Sequence, residues 1–398
     1  MPFVIFIFSL CTFSIGFTEF VTIGLVANIA QDLNTPVTHA AMAVTIYALG
    51  VVIGAPVLTA LTTHWSRKQV LVIAMLIFTL GNFAIVFVEQ LMFLLVARFF
   101  SGLAHGVLLA VTSGVAIRLV PNQKTGSALA LVFGGLTIAM SIGVPIGTWL
   151  GTLLTWQMIF LVIAGFSSMG VLGLVLFMPS KLDDSTKISI TRSGHLKVLL
   201  NVKLLAGASV TILAYAGSFT LYSYISPLLL TVTIIKPDEL GIIMLTYGIG
   251  ATIGNVLGGY FTDKWGIYKA VLVVLIMLTS ILACIGLLQY DWFLMLLLTA
   301  LLGLATYAAI PPLQGRLMKL AVLYAPQSLD VVSGMNIASF NTGIVLGSIV
   351  GVFTINNLGI IYLAWVGMAI SLLAVFALLW QFYSFNQPCR KSRQISSL

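Results

Sequence analysis

Residues 3–28 read FVIFIFSLCTFSIGFTEFVTIGLVAN, twenty-six positions with one charge, Glu19. As an α-helix this stretch is about 39 Å long at 1.5 Å per residue. That is enough to cross a hydrocarbon core of about 30 Å. It is too long and too continuously apolar for a barrel strand, which is about ten residues of alternating polarity. Within lipid a backbone must close its own hydrogen bonds, so the stretch reads as a transmembrane helix. No basic residues precede it and no small-residue cleavage pattern follows it. It is therefore expected to be a retained first span rather than a leader that is removed.

Eleven further stretches read the same way: 40–63, 70–88, 92–117, 126–149, 157–179, 203–231, 240–262, 269–289, 292–315, 329–353 and 358–384. The composition agrees, with 60% hydrophobic and 7% charged residues. Soluble domains carry about a quarter charged residues, and disordered chains are more polar still. The expected fold class is an all-α membrane protein of twelve transmembrane helices. Three cysteines, Cys11, Cys284 and Cys389, exclude a disulfide framework. The first two lie in apolar runs and read as small hydrophobes. No phosphate-binding loop is present, no Cys/His cluster has metal spacing, and the four histidines are isolated. An enzyme, an ATP-driven pump and a metal or other cofactor are not expected.

The net charge of +8 is a topology signal. With twelve spans, sixteen of the eighteen Lys and Arg fall on one side. They include Arg67, Lys68, Arg118, Lys124, Lys264, Lys269, Arg316, Lys319 and the tail residues Arg390, Lys391 and Arg393. Lys236 stands alone on the other side, and Arg98 falls inside a span. Basic residues mark the cytoplasmic side, so both termini and the central loop are expected there. A nucleic-acid partner would need clustered basic residues, and none is expected. The longest polar segment begins at Ser180 and divides the chain. The expected organisation is a six-helix half over 1–179, a linker over 180–202, a second half over 203–384 and a cytoplasmic tail over 385–398.

The halves resemble each other at a shift of about 200 residues. Tyr47-Ala48-Leu49-Gly50 before Ile53-Gly54 matches Tyr247-Gly248-Ile249-Gly250 before Ile253-Gly254. Trp65 falls on Trp265, Gly102-Leu103-Ala104 on Gly303-Leu304-Ala305, and Arg118 on Lys319. Gly143 and Gly147 match Gly347 and Gly351 less well, with Gly151 falling near Ile355. Duplicated halves are a signature of secondary transporters, whose substrate site lies between the repeats near mid-membrane.

At this point the sequence resembles the major facilitator superfamily. Gly259-Tyr260-Phe261-Thr262-Asp263-Lys264-Trp265-Gly266 with Lys269 fits the family's cytoplasmic loop motif. Its N-terminal counterpart is eroded: Thr63 replaces the acid and Ser66-Arg67-Lys68 remains. Arg98-Phe99-Phe100-Ser101-Gly102 looks like the fourth-span motif. Gly143-Val144-Pro145-Ile146-Gly147 resembles a variant of the fifth-span antiporter motif, departing from its adjacent Gly-Pro. Thr18-Glu19-Phe20, Gly54-Ala55-Pro56 and Phe219-Thr220-Leu221-Tyr222 look like bacterial sugar-efflux and arabinose-efflux-like permeases of the twelve-span drug:proton antiporter group. The resemblance covers essentially the whole chain. It implies two pseudo-symmetric six-helix halves and alternating access. It also implies that Asp263, Lys264, Gly266, Lys269 and Arg67 form a latch between neighbouring helix ends.

Charges inside a membrane cost about 2.5–3.5 kcal/mol each on insertion scales, so the few present are the first candidates for function. Glu19 is the only acid well inside a span, and Arg98 sits at a comparable depth. By helical rise they lie about 14 and about 9 Å from the outer surface. The resemblance places spans 1, 4, 7 and 10 around a central cavity, where the two side chains can form a salt bridge. An apolar cavity favours the neutral carboxyl and a nearby arginine favours the carboxylate. Moving Arg98 or admitting substrate would then change proton occupancy at Glu19. The plainer reading is a static pair that fixes helix packing. His105, seven residues after Arg98 on the same face, is a second proton-relay candidate, or simply a packed histidine.

The C-terminal counterparts of Glu19, Arg98 and His105 are Leu221, Thr299 and Thr306. The second half is thus expected to hold no membrane charge and to recognise substrate by apolar and hydrogen-bonding contacts. Tyr47, Tyr215, Ser218, Tyr222 and Asn336 are the candidate substrate residues, with Pro227 following the span-7 group. Tyrosine offers an apolar body with a polar tip. Asn336, Ser339, Asn341 and Asn255 also read as polar glue between helices. The expectation is a monomeric inner-membrane exporter exchanging a small organic compound (sugar, drug, nucleoside or secreted metabolite) for protons. An importer of the same fold and a non-transporting sensor are the alternatives.

Overall fold

The computed structural model describes residues 2–62, 65–120, 125–179, 198, 200–325 and 329–395. Most of the expected linker and Thr63 lie outside these residues, as do Lys124 and the side chains of Arg118 and the C-terminal tail. Among the described residues twelve helices are long and apolar enough to cross a membrane. They are α1 Phe3–Asp32, α2 Val37–Leu58, α3 Arg67–Phe87, α4 Leu91–Thr112, α5 Leu131–Leu153 and α6 Trp156–Phe177. The second set is α7 Val202–Tyr222, α8 Pro237–Trp265, α9 Ile267–Leu288, α10 Trp292–Tyr324, α11 Gly334–Asn357 and α12 Ile360–Tyr383.

The packing repeats with a shift of six helices. Helix α2 packs on α4 as α8 packs on α10, α1 on α5 as α7 on α11, and α3 on α6 as α9 on α12. Even the buried faces coincide. In α3, Val70, Leu71, Ala74, Met75, Phe78, Gly81 and Asn82 are buried. In α9, Ala270, Val271, Val274, Leu275, Leu278, Ile281 and Leu282 are buried, 200 positions on. The halves meet chiefly along α2 with α11 and α5 with α8. At the second contact Ser141 bridges to Thr252 at 2.7 Å, and Ser141 also donates to the Gly248 carbonyl.

The repeated glycines mark the closest approaches. A side chain at Gly50 or Gly54 would strike the backbone of Phe99 or Leu103, and one at Gly102 the Tyr47 carbonyl. In the other half Gly250, Gly254 and Gly303 face Ala300, Leu304 and Tyr247 in the same way. Small residues permit this spacing where lipid supplies no hydrophobic drive between helices. The span-5 glycines pack on the first helix of their own half. Gly147 sits against Phe17 and Gly151 against Leu25, while Gly347 sits against Phe219 and Gly351 against Tyr224.

Prolines set the local irregularities, since each lacks an N–H and its ring crowds the carbonyl four residues earlier. Helix α7 stops at Tyr222, earlier than the expected 231, because Pro227 crowds Ser223; a short turn Ile225–Leu228 follows. Wider π-turns surround Pro56 in α2 and precede Pro145 in α5. Helix α10 breaks at Ala309 but resumes at Ile310 and runs to Tyr324. Pro311 and Pro312 occupy the resumed first turn, where no N–H partner is needed. This places Arg316 on a helix rather than in a loop, near the end of α10 and beyond the length that a membrane crossing needs. Arg316 is half-buried in α10. It donates at 3.0 Å to the Gly207 carbonyl on α7 and also to Gln381 on α12.

Candidate transport site

Arg98 projects from α4 and is fully buried. Its Nε donates to the Ala43 carbonyl at 3.2 Å. Nη1 donates to both the carbonyl and the hydroxyl of Thr18, at 3.2 and 3.1 Å. The guanidinium carbon lies 4.0 Å from the centre of the Tyr47 ring. A desolvated cation over an aromatic face is worth about 2 kcal/mol, which helps offset the burial of the charge. Tyr47 in turn lies 5.5 Å from the His105 ring. The Tyr47 hydroxyl, both His105 nitrogens and Arg98 Nη2 are buried without a hydrogen-bond partner.

Glu19 lies on α1, next to the residue that holds the guanidinium. It interacts electrostatically with Arg98, but the expected salt bridge is not made. Thr18 takes the guanidinium instead, and Glu19 makes no ion pair or hydrogen bond among the described residues. Thr18 donates its own proton to Asn82 Oδ1 at 2.5 Å. Asn82, fully buried on α3, donates to the Phe78 carbonyl at 2.8 Å. Four helices of the first half thus converge on one cation.

The facing wall belongs to the second half and is aromatic. Tyr222 stacks on Tyr247 at 3.8 Å, and Tyr247 meets Tyr307 edge-on at 6.3 Å. Tyr307 reaches Phe20 of α1 at 6.2 Å, so the wall meets the first half one residue from Glu19. Tyr215 packs on Phe340 at 4.6 Å and on Phe219 at 5.8 Å. Ser218 and Thr306 share a buried hydrogen bond of 2.6 Å. Thr299, at the position equivalent to Arg98, is fully buried with an unpartnered hydroxyl.

The structure therefore brings together Glu19, Arg98, His105 and Tyr47 on one side and Tyr215, Ser218 and Tyr222 on the other. Asn336 is buried on α11 with its Oδ1 unpartnered, one turn from Phe340. No hydrogen bond links it to the tyrosines among the described residues. Among the described residues Ser339 and Asn341 bond to carbonyls of their own helix. Thr18, Asn82, Tyr247 and Tyr307 were not foreseen as site residues, although Tyr247 is the repeat counterpart of Tyr47.

The loop motif spans the turn from α8 to α9. Gly266 ends α8 at φ 79°, a conformation that favours glycine. Lys264 turns back to the Tyr260 hydroxyl at 3.0 Å on its own helix. Asp263 makes no ion pair or hydrogen bond among the described residues. In the first half Lys68 does tie two helices, donating to the Val175 carbonyl at the end of α6 at 2.7 Å. Gly143 and Gly147 lie against Phe17 of α1, and the Pro145 carbonyl faces Gly241 of α8. Among the described residues no group of three or more His, Cys, Asp or Glu could hold a metal ion.

Twelve membrane-crossing helices in two equivalent halves, with polar groups gathered where the halves meet, define a secondary membrane transporter. The chain belongs to the Major Facilitator Superfamily, whose profile matches residues 8–233 and 207–396. It is 38% identical over 364 residues to the uncharacterized MFS-type transporter YtbD of Bacillus subtilis (strain 168), covering 89% of each chain. It is 35% identical to the inner membrane transport protein YdhP of Escherichia coli (strain K12), covering 85% of each. It is 30% identical to a probable sugar efflux transporter of Helicobacter acinonychis (strain Sheeba), covering 94% of this chain and 93% of that one. A crystal structure of the nucleoside transporter NupG matches with a TM-score of 0.74 at 16% identity, covering 96% of this chain and 99% of that one.

Proposed function

We propose that this transporter exports a small organic compound from the cytoplasm across the inner membrane in exchange for protons. Both termini and the Lys264 end of the bundle face the cytoplasm in this reading, which the distribution of Lys and Arg supports. Glu19 is the coupling acid, Arg98 the cation that senses its charge, and His105 a neighbouring polar group on the same face of α4. The tyrosine wall with Ser218 and Thr306 receives the substrate. The segments before and after the central linker act as two rocking halves that slide on the close contacts of α2 with α11 and α5 with α8.

The observation that carries this reading is the position of Glu19. It is a membrane-buried acid without an ion pair, next to the residue that binds Arg98, at the point where the aromatic wall of the other half reaches α1. Protonation there can compete with a substrate group that seeks the same carboxylate. The relatives named as efflux transporters support the outward direction.

The test is uptake into everted membrane vesicles containing the protein, with an imposed pH gradient and a panel of radiolabelled sugars, nucleosides and aromatic cations. Accumulation of one class that collapses with the gradient is expected. Accumulation that ignores the gradient would overturn the antiport reading, and gradient-driven extrusion from everted vesicles would make the protein an importer.

A further inference from the structure

We infer that Thr18 and Asn82 form a docking position for the Arg98 side chain, holding the guanidinium away from Glu19 while that acid is protonated. This rests on the coupling role proposed above for Glu19. The geometry comes first. Arg98 has two flexible acceptor options on α1, the Thr18 hydroxyl and the adjacent Glu19 carboxyl. In the structure it takes Thr18, with Nη1 at 3.1 Å from the hydroxyl and 3.2 Å from the carbonyl. Nη2 remains buried without an acceptor, a spare donor that an ionised carboxylate would satisfy.

Asn82 gives this docking its direction. A hydroxyl has one proton and two lone pairs. Asn82 Oδ1 takes the Thr18 proton at 2.5 Å, which leaves the lone pairs of Thr18 for Arg98. The amide cannot easily turn over, because its Nδ2 is committed to the Phe78 carbonyl at 2.8 Å. The second half lacks the device. Leu282 stands where Asn82 does and Thr299 where Arg98 does, both fully buried. The half that holds the buried acid carries an asparagine at this position, and the half that lacks one carries a leucine.

The consequence is a two-position guanidinium. When Glu19 is neutral, Arg98 rests on Thr18 and the Ala43 carbonyl. When Glu19 ionises, Arg98 swings one side chain along α1 to the carboxylate. The docking competes with the ion pair and so sets how readily Glu19 gives up its proton. The other groups facing Glu19 are Tyr47 of α2, Tyr215 and Tyr222 of α7 and Tyr307 of α10, with His105 beside Arg98 on α4. None of them contacts Thr18 or Asn82 by a hydrogen bond.

The experiment is infrared difference titration of the purified protein in liposomes, needing no substrate. The protonated-carboxyl band that disappears in Glu19→Gln reports Glu19. At the pH where half of that band remains in the unaltered protein, Thr18→Val should raise the ratio of ionised to protonated Glu19 about tenfold, the worth of one charge-assisted hydrogen bond. Asn82→Leu, which installs the residue of the other half, should shift it the same way. Thr18→Ser, which keeps the hydroxyl, should leave it unchanged. A Thr18→Val titration equal to that of the unaltered protein, or a Thr18→Ser shift as large as that of Thr18→Val, would overturn the docking role while leaving Glu19 as a titrating acid. A protein with no band sensitive to Glu19→Gln would overturn the coupling role itself, and the docking with it.

Discussion

Gly254 and Gly259 lie five residues apart on α8 and are both in helix, but only one faces a neighbour. A methyl group on Gly254 would fall on the Leu304 carbonyl oxygen and 2.8 Å from the carbonyl carbon and Cα of that residue. A methyl group on Gly259 would meet nothing within 4 Å. Both Gly→Ala changes gain helix propensity of up to about 1 kcal/mol, so the comparison between them isolates packing. The clash at Gly254 is with backbone, which cannot rotate away, and overpacking of this kind costs about 1–3 kcal/mol. Gly254→Ala should therefore be less stable than Gly259→Ala by about that amount. Thermal unfolding of the two purified variants in the same detergent, followed by loss of the monodisperse chromatographic peak, reads the difference. Equal midpoints would refute the close approach of α8 to α10. Gly54→Ala in α2, which would strike the Leu103 carbonyl, provides the same test in the other half.

Three further outcomes follow from the site and its supports. Arg98→Lys keeps a charge but loses the planar fork that serves Thr18 and Ala43 together and stacks on Tyr47; gradient-driven transport should fall at least tenfold while the protein still purifies folded. Gly266→Val forces a branched side chain to φ 79° and should cost about 1–3 kcal/mol of stability in the same unfolding assay, with Gly266→Asn costing less. Lys68→Met removes one exposed bond to the Val175 carbonyl and should change stability by no more than about 1 kcal/mol.

Much of this was legible in the sequence because hydropathy fixes the spans and glycine spacing fixes which helices touch. Gly50, Gly54 and Gly102 could be matched to Gly250, Gly254 and Gly303 before any contact was known, and each marks a backbone contact. Arg98 and Glu19 stood out because charge in lipid is scarce. Their relation was not legible. Thr18 is 80 residues from Arg98 and 64 from Asn82, and a lone asparagine in an apolar span looks like any polar tie between helices. Arg316 falls one residue past the expected end of the tenth span at 315, whereas the helix runs on to Tyr324. Tyr307 carries no pattern of its own; its importance comes from edge-on ring partners on α8 and α1.

The central claim is that the proton exchanged for substrate is carried by Glu19. The most direct measurement compares the unaltered transporter with Glu19→Gln in everted vesicles, using the compound identified by the panel and measuring both gradient-driven accumulation and exchange of label at zero gradient. Glu19→Gln should lose the first and keep the second, becoming an exchanger that ignores pH. Gradient-driven accumulation that persists in Glu19→Gln would contradict the account.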